Sequence, residues 1–98
     1  MDREQALATW NELREWAREE AGNNPGAIDC ATKARINFSY DPNYNTYLGE
    51  KMLAVVGHFE IWFSPRKWQR WDYDHLKGIM LADLQKLKSA IQSAYPPA

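Results

Sequence analysis

The stretch Arg35-Ile-Asn-Phe-Ser-Tyr-Asp-Pro-Asn-Tyr-Asn-Thr-Tyr-Leu-Gly-Glu-Lys-Met-Leu-Ala-Val-Val-Gly-His-Phe-Glu-Ile-Trp-Phe63 decides the fold class. Ile36, Phe38 and Tyr40 alternate with Asn37 and Ser39, and a period of two predicts a half-buried strand. Asp41-Pro42-Asn43 predicts a turn, because proline presets φ while Asp and Asn bond to the nearby backbone. Tyr44 to Leu48 reads as a second, short strand, Gly49-Glu50-Lys51 as a second turn, and Met52 to Phe63 as a longer apolar strand. On such a strand Phe59, Ile61 and Phe63 share one face, and His58, Glu60 and Trp62 the other. Gly57 marks a bulge or tight turn, so the stretch predicts three antiparallel strands, or four if Gly57 splits the last run.

The flanks read as helices. Asp2 is placed to cap a first helix, with Gln5 three residues on as in a capping box. Ala6, Trp10, Leu13, Ala17 and Ala21 follow at helical spacing, flanked by Leu7 and Trp16. Gly22-Asn23-Asn24-Pro25-Gly26 then ends that helix near Ala21. Ala27 to Ala34 fits either a short helix or a loop whose Ile28 and Ala31 touch the core. Ser64-Pro65 predicts a new helix start, with serine as cap and proline in the first turn, a first segment to about Trp71, and Asp72 or Asp74 recapping a second. Leu76, Met80, Leu84, Leu87, Ile91 and Ala94 form the strongest periodicity in the chain, and Tyr95-Pro96-Pro97 closes it. Gly78 inside that run permits close approach to a neighbour.

Helix, meander, helix predicts a single α+β domain over 1–98, with both helices on one face of an antiparallel sheet. The other face would carry Asn37, Ser39, His58, Glu60 and Trp62.

Composition bounds the function classes. Of the 98 residues, 45% are hydrophobic and 26% charged, which suits a soluble domain with one modest core. No run of 18 apolar residues is present, so no membrane span is expected. The first residues, Met1 to Thr9, lack the apolar core of a signal peptide. The single cysteine, Cys30, allows no internal disulfide and fits a reducing cytoplasm, where it reads as a small buried thiol. The alternative for Cys30 is a nucleophile with His58 or His75 as base. The net charge of −1 hides a gradient, from −4 over residues 1–30 through 0 over 31–65 to +3 over 66–98.

No phosphate loop, nucleophile elbow, His-Glu-x-x-His or paired Cys-x-x-Cys occurs, so the expectation is a non-catalytic domain without cofactor or bound metal. Residues 59–73 hold six of the thirteen aromatic residues, with Arg66, Lys67 and Arg70 among them. Tryptophan and arginine most often anchor partners. The first reading is therefore a protein-binding domain of inhibitor, immunity or adaptor type, monomeric or homodimeric, with contacts at Trp62, Arg66, Lys67, Arg70, Trp71, Tyr44 and Tyr47. An alternative acidic face comprises Glu12, Glu15, Glu19 and Glu20. The second reading is nucleic-acid binding through the basic-aromatic segment 62–73, where bases would stack on rings and phosphates meet Arg and Lys. The third is a small enzyme or metal site at His58/Glu60 or at Asp72/Asp74/His75. In a third option for the aromatic segment, Trp68 and Trp71 share a helix face and pack inward.

Overall fold

Asp2 accepts from the Gln5 amide at 2.8 Å, and the Gln5 side chain accepts from the Asp2 amide at 2.9 Å. That reciprocal cap starts α1 where the sequence predicts, and the helix, Arg3–Ala17, ends one turn before the predicted Ala21. The computed structural model describes residues 1–64 and 70–97, with backbone alone at 70–72. It contains α2, Pro25–Ser39, α3, Thr46–Trp62, and α4, Arg70–Ala94. Among the described residues there is no strand, so the predicted α+β meander is replaced by an all-helical bundle. Of the first segment expected from Pro65 to about Trp71, residues 65–69 lie outside the described residues and 70–71 belong to α4.

The physical reason lies in a second periodicity that runs under the alternation. In α2 the buried residues are Ala27, Ala31, Ala34 and Phe38, spaced four, three and four. Alanine is the strongest helix former, yet it contributes little to a hydrophobicity pattern. Ile36 and Tyr40, which seem to complete a strand face with Phe38, point to solvent instead. In α3 Leu48, Met52, Val55, Val56, Phe59 and Trp62 are buried, again at helical spacing. Its β-branched and aromatic content resembles a strand, but 17 unbroken residues exceed the usual length of one. Asn45 starts the helix by accepting from the Leu48 amide at 2.8 Å.

The glycines confirm the correction. Gly49 is no turn: it is buried in the first turns of α3, and a methyl there would lie 2.8 Å from the Tyr44 ring carbon Cζ. Gly57 is no bulge, and a side chain at either Gly57 or Gly78 would meet nothing within 4 Å. Gly78 therefore permits no close approach. Asp41-Pro42-Asn43 does turn the chain, but between two helices. Asp72 and Asp74 lie within the continuous α4 rather than at the start of a second segment.

Contacts at the ends of the elements set the topology. Met1 pairs with Asp41 just after α2, and the Phe38 and Tyr95 rings meet edge to face at 6.2 Å. At the opposite end Asn24 donates to the Phe63 carbonyl at 3.0 Å, and the Trp62 and Tyr73 rings meet at 5.5 Å. Successive helices are thus antiparallel, giving an up-down-up-down bundle in which α1 also packs along α4. The molecule measures 43 × 21 × 21 Å. The stripe Leu76, Met80, Leu84, Leu87 and Ile91 forms the α4 contribution to the core as predicted, and Tyr95 is buried at its end. Trp10 is buried at the α1–α4 seam and donates its indole N–H to the Leu84 carbonyl at 2.6 Å.

Candidate functional site

Among the described residues, the bundle places Trp62 at the opposite end of α3 from Tyr44 and Tyr47. Trp62 is only 1% exposed; its indole N–H donates to the Glu19 carbonyl at 3.3 Å and its ring packs on Tyr73. It belongs to the core rather than to an open face. Arg66, Lys67 and Trp68 lie outside the described residues, as do the side chains of Arg70, Trp71 and Asp72. Tyr44 and Tyr47 are exposed at the start of α3, and the Lys51 ammonium sits 5.0 Å above the Tyr47 ring.

The predicted His58/Glu60 pair does not assemble, and the Asp72 side chain of the predicted Asp72/Asp74/His75 cluster lies outside the described residues. His58 and Glu60 would share one side of a strand, but two residues apart on a helix they diverge. His58 Nδ1 instead meets Asp83 Oδ2 at 2.5 Å across the α3–α4 seam, while Glu60 is exposed. Asp74 and His75 are both exposed on α4. No three His, Cys, Asp or Glu side chains among the described residues gather where they could hold a metal.

Cys30 is half-buried on α2 beside Trp16. Its thiol pKa is raised, first by burial and then by Glu12, which works against the thiolate that a nucleophile needs.

Glu12, Glu15, Glu19 and Glu20 are all exposed, as the acidic-face reading requires. Glu12, Glu15 and Glu19 border a shallow surface depression of about 490 Å³ together with Trp16. Glu15 is already engaged, pairing with Arg18 at 3.1 Å. Glu20 faces elsewhere, toward Trp62, Tyr73 and Lys77.

A different surface combines a concavity with exposed apolar side chains. Between α2 and α3 a cavity of about 230 Å³ is lined by Arg35, Ile36 and Ser39 from one helix, Gly49, Met52 and Leu53 from the other, and Tyr44 from the connection. Ile36 is 48% exposed, Leu53 50% and Tyr40, one turn beyond Ile36, 85%. Gly49 shapes this cavity, because the Tyr44 ring occupies the space that any Cβ at 49 would need. Of these residues the sequence reading singled out only Tyr44 as a contact. The available signal was Ile36, Tyr40 and Leu53, apolar residues left off the core stripes once α2 and α3 are read at helical period.

Comparison of the chain with protein-family models, with curated proteins and with solved structures finds no match.

Proposed function

We propose that this chain is a small interaction domain that binds a protein partner through the α2–α3 cleft, without catalysis. The observation that carries this reading is the cluster of Ile36, Tyr44 and Leu53 around one cavity, each at least 43% exposed although large and apolar, with Tyr40 exposed one turn beyond Ile36. Scattered apolar residues are normal on a surface, but a contiguous group around a concavity marks an interaction site. Tyrosine suits such a role because it brings a wide ring, a polar tip and few rotors to freeze. The acidic face of α1 is the weaker candidate, since solvated glutamates contribute little binding on their own.

The experiment is affinity capture on wild type and on the double variant Ile36→Asp/Leu53→Asp, with circular dichroism to verify that both fold. A protein partner held by wild type and lost by the variant, with little change between 50 and 200 mM salt, is the expected result. Capture that persists in the variant removes the cleft from the reading. Capture that is sensitive to nuclease and falls steeply over that salt range replaces it with nucleic-acid binding.

A further inference from the structure

We infer that the α2–α3 cleft recognises a peptide segment carrying one apolar side chain next to a carboxylate, the first in the cavity and the second on the Arg35 guanidinium. The inference rests on reading this cleft as a protein-docking surface and specifies the chemistry of its partner. At about 230 Å³ the cavity is smaller than the roughly 300–1,000 Å³ of typical small-molecule sites. It is the scale of a pocket for one anchoring side chain, the usual centre of a protein hot spot. Its floor is apolar: Met52 is buried there, and Gly49 leaves the α3 backbone bare beneath the Tyr44 ring.

Charge decides the rest. Arg35 is the one charged residue among the described residues that line the cavity. It is exposed and makes no ion pair among the described residues, so its fork is available. A guanidinium presents paired N–H donors that match a carboxylate in a bidentate way. A partner bearing lysine or arginine at that position would meet like charge with no carboxylate in the lining to offset it. An apolar segment without an acid would leave the guanidinium partly desolvated and unpaired, which disfavours it.

The probe is a randomised peptide library selected on the wild-type chain, with the enriched peptides titrated calorimetrically against wild type, Arg35→Glu and Leu53→Asp. Both substituted positions are exposed, and thermal melts verify that the variants fold. Enriched peptides are expected to pair a large apolar residue with Asp or Glu, to lose roughly tenfold or more in affinity on Arg35→Glu, and to lose binding on Leu53→Asp. Replacing the peptide acid by lysine is expected to restore affinity for Arg35→Glu. Peptides that depend on Leu53 but show no acidic preference and ignore Arg35→Glu overturn the carboxylate partner and leave the docking reading standing. Peptides indifferent to both substitutions, or no enrichment, overturn both. A wild-type dimer that disperses on Leu53→Asp also overturns the inference, because a second copy then fills the cleft.

Discussion

At one end of the bundle the Met1 ammonium, Asp41 and Tyr95 meet over Phe38. At the other, the α1–α2 loop lies across the C-terminus of α3. There Gly22 and Asn24 donate to the Trp62 and Phe63 carbonyls at 3.1 and 3.0 Å, and Trp62 returns its indole N–H to Glu19. Trp16, Phe59 and Phe63 surround that junction edge to face. One end is thus fastened by a buried carboxylate and the other by aromatic packing and backbone caps. The carboxylate of Asp41 is only 3% exposed. Burial alone would raise its pKa, but the Met1 ammonium, the Asn43 amide and the Tyr95 hydroxyl outweigh that and hold it below the ordinary value. The Tyr95 hydroxyl faces the carboxylate without a well-aligned hydrogen bond. Its own pKa is raised by burial first and by Asp41 second, so it stays protonated. The lesson is that the two ends should respond to different perturbations, one to protons and one to lost apolar volume.

The largest expected effect is at the aromatic end. Trp62→Ala should cost about 3–5 kcal/mol in denaturant unfolding, the range for deleting a buried aromatic side chain. A loss near zero would mean that the loop, not the ring, fastens this end. Asp41→Ala should cost less, about 1–3 kcal/mol, by leaving the Met1 ammonium and the Asn43 amide without their acceptor. If it exceeds Trp62→Ala, the ranking of the two ends is reversed.

Acid sharpens the contrast. Because the folded Asp41 carboxyl titrates below its ordinary value of 3.8, it stabilises the fold above that value, and this contribution is lost as pH falls through the lowered one. Thermal melts from neutral pH downward should show an acid-induced fall in wild type that is smaller in Asp41→Asn and fully retained in Trp62→Phe. Equal acid sensitivity in wild type and Asp41→Asn would assign the fall to other carboxylates. Smaller again is Gly22→Ala. Gly22 holds φ of +151°, a conformation that residues with a Cβ rarely adopt, so the change should cost about 1–2 kcal/mol although no atom lies near. A stabilising result would mean that the loop relaxes without loosening its grip on α3. Glu15→Gln, on the solvated face of α1, should move stability by no more than about 0.5 kcal/mol.

The helices that carry their own punctuation were legible from sequence. Asp2 and Gln5 mark the start of α1, Tyr95 and the prolines mark the end of α4, and large residues fill both inward stripes. α2 and α3 were not legible, for opposite reasons. The inward stripe of α2 is mostly alanine, so the larger exposed Ile36 and Tyr40 dominated the pattern and imposed a false period of two. The inward stripe of α3 is so rich in valine and aromatics that it matched strand composition, and two glycines with unrelated roles looked like turns. Errors in the candidate site followed from that one mistake. His58 and Glu60 are neighbours only on a strand, and Trp62 lies on an open face only if a sheet exists. Tyr44 and Tyr47 kept their exposure because they stand near the cap of α3, where strand and helix readings place them alike.

The indole of Trp10 reaches the Leu84 carbonyl across 74 positions of chain. Helices α2, α3 and α4 each pack on a neighbour in sequence, whereas α1 packs chiefly on the helix farthest from it. Closing that seam orders the longest loop in the molecule, so it is expected to come after the other three helices have paired. Trp10 then works as a latch in time as well as in space. Weakening it is expected to hasten opening far more than it slows assembly.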